Sequence, residues 1–203
     1  MAVNTKNLVI GLTGGIGSGK SQVSRILKLL GAHIIDADLL GHQSYTPGSP
    51  EWGNLVKHFG SAIVNRDGTI NRSKLGDIVF SDSAAMLSLN NIVHPRIRAL
   101  TENKIRALKT VNTDTIVVEA ALLIEAGWVS LVDRVWSTES TSKRIIERLK
   151  HERGLSEKQI KERMRFQMTA EERSSFSDVI IKNNGSLEQL EQRVQFLWDN
   201  RYK

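Results

Sequence analysis

The sequence predicts an α/β fold in which helices cover both faces of a central parallel β-sheet. Short apolar runs that suit strands buried on both faces alternate with segments of helical spacing. Strands that are separated by helices pair in parallel through right-handed crossovers. At 203 residues, the chain is long enough for one medium-sized domain with an insertion.

The predicted core elements follow in chain order. The first strand covers residues 8–12, and residues 20–30 form a helix whose apolar residues recur every three or four positions. Gly31 follows this helix at the position where a C′ glycine is expected. Four further stretches predict buried strands, namely AHIIDAD, DTIVVEAALLIE, DRVWST and SDVIIKN.

Two regions interrupt this alternation. Residues 41–108 contain helical patterns between turn signals such as YTPGSP and NRDGTINR, and they contain no clear buried strand. Because this region is too long for a simple crossover, it predicts a helical insertion. Residues 143–172 predict a charged helical pair with a turn at RGLS.

Composition limits the classes of function. The net charge of +6 fits either a solvated surface or an anionic partner, which would be nucleic acid or a small polyphosphate. Basic residues bunch in segment 143–165, but they alternate there with glutamates and lack the aromatic residues of single-strand binders. The absence of cysteine excludes disulfides and Cys-based metal sites. With no secretory layout at the N-terminus and no run of ~20 apolar residues, we expect a cytoplasmic protein.

Residues 14–21, GGIGSGKS, match the pattern G-x-x-x-x-G-K-[ST] between a predicted strand and a predicted helix. Glycines allow consecutive backbone N–H groups to converge on phosphate oxygens at a helix N-terminus, whose dipole favours the anion. Lys20 is expected to add a positive charge at the β- and γ-phosphates, and the Ser21 hydroxyl is expected to bind Mg²⁺. The predicted phosphate-binding residues are Gly14, Gly15, Ile16, Gly17, Ser18, Gly19, Lys20 and Ser21.

Two carboxylates, Asp36 and Asp38, follow the second predicted strand. Ligands bind at the carboxyl ends of strands in open α/β sheets, and residues two apart on a strand point to the same side. A carboxylate at this position could orient an incoming hydroxyl and accept its proton. The alternative is a turn or N-cap aspartate without a ligand, and for Asp36 a purely structural role stays open.

These features separate the classes of nucleotide-binding protein. A GTPase would need the motif N-K-x-D, which is missing, and a motor or helicase would need a longer chain. A small kinase fits best, with the basic segment 143–165 closing over the phosphate as a lid. The alternative for this segment is a solvated helical hairpin. A kinase of another small molecule (a nucleoside, a nucleotide or shikimate) and a non-catalytic nucleotide-binding regulator also stay open.

Several separated stretches together resemble the dephospho-CoA kinase family over nearly the full length of the chain. GLTGGIGSGKS resembles its phosphate loop, and GAHIIDAD resembles the strand and acid pair that follow. The stretch from GSPEWG to HPRI resembles its acceptor-binding helical region. LLIEAG, RLKHERGLS and SDVIIKNNGS resemble its P-L-L-[FV]-E strand, its lid and its last strand. The series DAD, HP and LLxE is more specific than the loop, which many enzymes share.

The resemblance also implies residue roles. It implies that Asp38 is the catalytic base and that Lys20 and Arg148 meet the phosphates. Asn183 corresponds to the position where the last strand of the family approaches adenine. The acceptor-binding residues that the resemblance implies are Asp38, His94, Leu122 and Leu123.

Three positions depart from the family pattern. Ala121 replaces a proline, and Ile145 replaces a glutamine that often precedes the lid arginine. Glu152 stands where a second lid arginine is common, and the next residue, Arg153, is its possible substitute. These departures concern how the lid holds phosphate.

Other roles stay open at this level. His94 is either a ligand contact or a packed histidine. Glu119 and Glu125, near the end of the third strand, could assist a metal through water or hold the loop.

The implied reaction transfers the γ-phosphate of ATP to the ribose 3′-hydroxyl of dephospho-CoA, giving CoA and ADP, with Mg²⁺ present. The implied architecture is a three-layer P-loop kinase fold with a helical acceptor-binding insertion (41–108) and a helical lid (143–172). The remaining segments, 1–40, 109–142 and 173–203, form the nucleotide-binding core. We expect no nucleic-acid or membrane partner, and a monomer or weak homo-oligomer.

Overall fold

The computed structural model describes residues 7–202 and contains an open sheet of five strands in which all neighbouring strands run parallel. The spatial order is β2-β3-β1-β4-β5. The strands are β1 (Leu8–Gly14), β2 (His33–Asp36), β3 (Thr115–Glu119), β4 (Arg134–Glu139) and β5 (Val179–Lys182). The predicted parallel sheet is therefore confirmed, while the outermost predicted core residues, 1–6 and 203, lie outside the described residues.

The chain divides into two compact units within the described residues. The second unit is Ala37–Glu102, and the first contains the segments before and after it. The helices are α1 (Lys20–Leu29), α2 (Ala37–Ser44), α3 (Pro50–Phe59), α4 (Arg72–Val79), α5 (Ser83–Thr110), α6 (Ser142–Arg153), α7 (Glu157–Met164), α8 (Ala170–Ser174) and α9 (Leu187–Asp199).

The core of the first unit lies on the sheet beneath α1 and α9. β1 and β3 are mainly apolar and almost wholly buried, as expected for central strands that are covered on both faces. The buried apolar residues of α1 (Val23, Ile26 and Leu27) recur at helical spacing and join Trp136 of β4 in one cluster. Gly31, just beyond the C-cap of α1, has a φ of 105°, a left-handed conformation that confirms the predicted C′ glycine.

The second predicted strand ends earlier than expected, because α2 begins at Ala37 directly after β2. The buried residues of α2 are Ala37, Leu40, Gly41 and Ser44, which follow the i, i+3, i+4, i+7 spacing of a helix. The prediction that Asp36 and Asp38 share one side of a strand is therefore wrong. Asp38 lies in the first turn of α2, where the helix dipole favours a negative charge.

The third strand is also shorter than predicted. β3 ends at Glu119, and the LLIEA stretch forms turns. The backbone of this stretch forms hydrogen bonds between residues close in sequence. Ala126 N donates to Leu122 O at 2.8 Å, and Gly127 N donates to Ile124 O at 2.9 Å. The C-terminal helix α9 was not predicted, although a capping box at Ser186 marks its start.

The predicted charged helical pair is confirmed. Gly154 ends α6 with a φ of 62°, and Ser156 caps α7 in a capping box with Gln159. The RGLS turn therefore has the residue types that its backbone requires.

Leu27 and Leu29 on α1 offer a matched test of the core, because Leu27 is 0% exposed and Leu29 is 82% exposed. We expect Leu27→Ala to lower the free energy of unfolding by about 2–5 kcal/mol, since it leaves a cavity. Leu29→Ala should change the same quantity by less than about 0.5 kcal/mol. Urea unfolding followed by circular dichroism measures both. Equal losses would show that α1 does not pack as described.

Candidate active site

The phosphate loop, residues 14–21, connects the central strand β1 to α1 at the carboxyl edge of the sheet. Gly17 and Gly19 have φ values of 70° and 99°, a conformation that side-chain-bearing residues rarely adopt. Gly19 is also the N-cap of α1, and no side chain caps this helix end. A turn of this kind directs backbone N–H groups and a helix dipole toward one point, which suits an anion.

Side chains from several other elements hold this loop. Arg148 Nη1 donates to Gly17 O at 2.5 Å, and Asn183 Nδ2 donates to Ser18 O at 3.0 Å. The hydroxyls of Ser18 and Thr138 lie 2.6 Å apart in a buried hydrogen bond. The sequence prediction connected Arg148 with phosphate and Asn183 with adenine, and the structure places both side chains on the backbone of the phosphate loop.

Glu119 links the sheet to the start of α1. It ends β3, is buried, and pairs in register with Leu12 of β1 on one side and Asp36 of β2 on the other. Its Oε1 accepts hydrogen bonds from Lys20 Nζ at 2.9 Å and from Ser21 Oγ at 3.1 Å. Glu119 thus contacts the ammonium of Lys20 and the hydroxyl of Ser21, the two side chains at the end of the loop motif.

Electrostatics keep Glu119 ionised. Burial alone would raise the pKa of its carboxyl, but the Lys20 ammonium and hydrogen bonds from Ser24, Lys20 and Ser21 outweigh burial and lower the pKa below its usual value. Sequence reasoning left Glu119 without a definite role. The sequence indicated only that Glu119 lies near the end of the third strand, and the strand order, which places this end beside β1, brings it to the loop.

The predicted lid contributes apolar as well as polar contacts. Ile145 and Leu149 of α6 are buried in a small cluster with Ile160 of α7, and Ile16 of the loop packs against it. A Cβ at Gly17 would lie 3.0 Å from Leu149 and 3.1 Å from Ile145. The departure at Ile145 therefore has a physical explanation, because an apolar residue fills this contact with the loop.

The other predicted site residues lie in different surroundings. Asp38 is exposed, and Asp36 is half-buried at the end of β2. Leu122 is half-buried in the turns after β3. Leu123 is fully buried beside β1, where a Cβ at Gly11 would lie 2.7 Å from its Cδ1.

His94 lies in the middle of α5, in the second unit, and the helix continues through Pro95. Burial lowers the pKa of the half-buried His94 imidazole, which favours its neutral form at pH 7. A neutral imidazole can donate one hydrogen bond and accept another.

Neither a metal-binding cluster nor a membrane-spanning helix occurs among the described residues. Residues 7–202 contain no group of three or more His, Cys, Asp or Glu side chains placed to hold a metal ion. In the same part of the chain, no helix combines the length and apolar character that a membrane span requires.

Known structures share this fold. A Thermus thermophilus protein matches with a TM-score of 0.77 at 30% identity, covering 95% of this chain and 97% of that chain. Shikimate kinase from Acinetobacter baumannii matches with a TM-score of 0.52 at 16% identity, covering 97% and 96%, and so supports the fold alone. The parallel sheet and the phosphate loop, with the lysine and serine at its end, define the class of fold as that of the P-loop kinases.

The comparisons also show the family. The family profile described as dephospho-CoA kinase matches residues 8–189. The relative of that name from Geobacter sulfurreducens is 43% identical over 96% of this chain and 98% of its own length. The one from Carboxydothermus hydrogenoformans is 42% identical over 92% and 90%. Dephospho-CoA kinase from Campylobacter jejuni matches in structure with a TM-score of 0.69 at 27% identity, covering 94% and 95%.

The chain therefore belongs to the dephospho-CoA kinase family, transferases that phosphorylate dephospho-CoA with ATP. The resemblance read from the phosphate loop and the DAD, HP and LLxE series is confirmed.

The lowered pKa of Glu119 gives a stability prediction. A carboxyl whose pKa is lower in the folded state stabilises the fold above the unfolded pKa of about 4.5, and that stability is lost as pH falls through the folded pKa. We expect Glu119→Gln to lower the free energy of unfolding at pH 7 by about 2 kcal/mol. The variant should also lose part of the wild-type decline below pH 4.5. Urea unfolding from pH 3 to 7 measures both, with Glu191→Gln as the exposed control.

Proposed function

We propose that the reaction is transfer of the ATP γ-phosphate to the ribose 3′-hydroxyl of dephospho-CoA, and that the loop 14–21 binds the ATP phosphates. The observation that carries this proposal is the joint arrangement of Lys20, Ser21 and Glu119 at the carboxyl end of the central strands. Lys20 supplies a positive charge, and the backbone N–H groups at the start of α1 supply directed hydrogen bonds. Both groups favour the charge on the migrating phosphoryl.

Mg²⁺ fits this arrangement. Ser21 Oγ and Glu119 Oε1 are hard oxygen ligands 3.1 Å apart, and the pKa of Glu119 is lowered, so its carboxylate is available at neutral pH. Mg²⁺ in such enzymes is held by one or two protein oxygens together with substrate phosphates, so no larger cage is required. When bound, the ion neutralises charge on the β- and γ-phosphates. We propose Ser21 as its ligand, with Glu119 beside it.

The predicted lid completes the phosphate site in this proposal. The Arg148 guanidinium already contacts the loop at Gly17 O, while the lid cluster packs on Ile16. A guanidinium at this point can turn from the loop carbonyl to a phosphate oxygen without leaving the site. The lid also excludes water, which strengthens electrostatic contacts with the transferring group.

The acceptor side rests on the family resemblance. We propose that residues 41–108 bind dephospho-CoA, with Asp38, His94, Leu122 and Leu123 among the contacts. Because both substrates are anionic, the net charge of +6 can serve to attract them, and a nucleic-acid partner is not needed to explain it. We further propose a cytoplasmic monomer or weak homo-oligomer with no membrane partner.

Asp38→Asn tests the proposed base. Asn keeps the shape and one acceptor oxygen but loses the charge and the basicity, so we expect kcat to fall about 10²-fold or more while both substrates still bind. Asp36→Asn is the matched control and should lower kcat less, or act through stability. Steady-state ADP release with ATP and dephospho-CoA measures both variants. If Asp36→Asn loses turnover and Asp38→Asn keeps it, the two roles are reversed.

Arg148→Ala tests the lid contact. Because a guanidinium that acts on the transferring phosphoryl contributes more to the transition state than to ATP binding, kcat should fall more than ATP affinity. Arg153, exposed in the last turn of α6, is the matched control, and Arg153→Ala should have the smaller effect. ADP release and ATP binding by calorimetry separate the two quantities. A larger loss of kcat for Arg153→Ala would assign the role to Arg153.

A further inference from the structure

Gln167 makes a long-range contact with the phosphate loop that sequence reasoning missed. It lies between α7 and α8, and its Oε1 accepts a hydrogen bond from Ile16 N at 2.7 Å across 151 residues of sequence. Ile16 is flanked by Gly15 and Gly17. The hydrogen bond from Ile16 N to Gln167 therefore restrains the backbone between two glycines, where the chain has the most conformational freedom.

Both backbone groups of Met168, the residue after Gln167, form hydrogen bonds with side chains. Met168 N donates to Glu125 Oε1 at 3.0 Å, and Arg173 Nη2 donates to Met168 O at 2.7 Å. Glu125 follows β3 and Arg173 belongs to α8, so two separate elements hold this short segment. These contacts hold the neighbouring Gln167 beside the loop.

Arg173 is a buried cation at the same place. It is only 3% exposed, and a Cβ at Gly15 would lie 3.7 and 3.9 Å from its Nη1 and Nη2 and 3.8 Å from Gln167 Oε1. Its Nε is buried and has no hydrogen-bond partner among residues 7–202. Burial lowers the pKa of Arg173, while Glu125, Glu139 and Glu172 raise it. Burying a guanidinium is costly, so a specific use of this residue is expected.

We propose that Gln167 is a positioning residue for phosphoryl transfer. Held through Met168 by Glu125 and Arg173, it fixes Ile16 N and with it the loop conformation that receives the ATP phosphates. This inference rests on the proposed binding of ATP phosphates by loop 14–21. A loop with several glycines loses much conformational freedom on ordering, and an external hydrogen bond that is already made reduces that cost when ATP binds.

The central test is Gln167→Met, which keeps the length of the side chain but removes its acceptor oxygen. We expect kcat/KM for ATP to fall about tenfold, in the range expected for a hydrogen bond that preorganises the loop. The KM for dephospho-CoA and the thermal midpoint Tm should stay at wild-type values. A merely structural role would instead leave a misfolded fraction, which lowers kcat and Tm but changes neither KM.

Two further variants sharpen this test. Gln167→Glu retains an acceptor oxygen at the same reach and places its charge beside Arg173, so it should keep most of the wild-type kcat/KM for ATP. Arg173→Lys retains the positive charge near Glu125 but shortens the reach to Met168 O, so it should lower kcat/KM for ATP in the same direction as Gln167→Met.

Gln189→Met is the matched control. Gln189 Oε1 accepts a backbone hydrogen bond of the same kind, from Ser186 N at 3.0 Å, at the start of α9. This variant should leave kcat/KM for ATP unchanged. The inference is overturned if Gln167→Met has wild-type kcat/KM for ATP, or if Gln189→Met loses as much. Lys20→Ala is assayed alongside: near-normal turnover in that variant would reject the proposed loop function, which the Gln167 variants do not test.

Discussion

The contact between Glu119 and the start of α1 is the constraint on which the rest of the site depends. A carboxylate buried at the end of β3 is costly unless it is paired, and Lys20 and Ser21 provide the partners. The ion pair between Glu119 and Lys20 holds the loop lysine against the central strands before any ligand binds. Removing the charge of Glu119 or of Lys20 would leave the other charge uncompensated at the carboxyl edge of the sheet. The contact therefore joins the stability of the sheet to the geometry of the phosphate loop.

The remaining loop contacts explain how a glycine-rich turn has a defined shape. Its residues are held from several directions by side chains of β4, α6, the segment after β5 and the segment between α7 and α8. These side chains are Thr138, Arg148, Asn183 and Gln167. Because each contact comes from a separate element, the loop is preorganised by the tertiary structure rather than by its own sequence. The Ile145 and Leu149 cluster adds apolar packing on the same turn.

Several features were predictable from the sequence because they depend on local physical rules. The parallel sheet follows from the alternation of short apolar strands and helices, and the phosphate loop follows from its glycine spacing between a strand and a helix. The error at Asp38 has an equally local cause. The predicted strand extends through DAD, whereas Ala37, Leu40, Gly41 and Ser44 follow helical spacing. The helical spacing of the residues beyond Asp38 is the local signal that indicates α2.

The sequence by itself determined which segments become strands, where the loop lies and which family the chain resembles, since these depend on periodicity and short motifs. Only the tertiary structure decided which side chains reach the loop. Glu119, Gln167 and Arg173 are far from it in sequence, and ordinary glutamate, glutamine and arginine residues carry no pattern that indicates such contacts. Their positions follow from the strand order β2-β3-β1-β4-β5, which places the end of β3 beside β1, and from the folding of the segment after α7 against Ile16. Long-range packing sets these distances, and no local rule contains them.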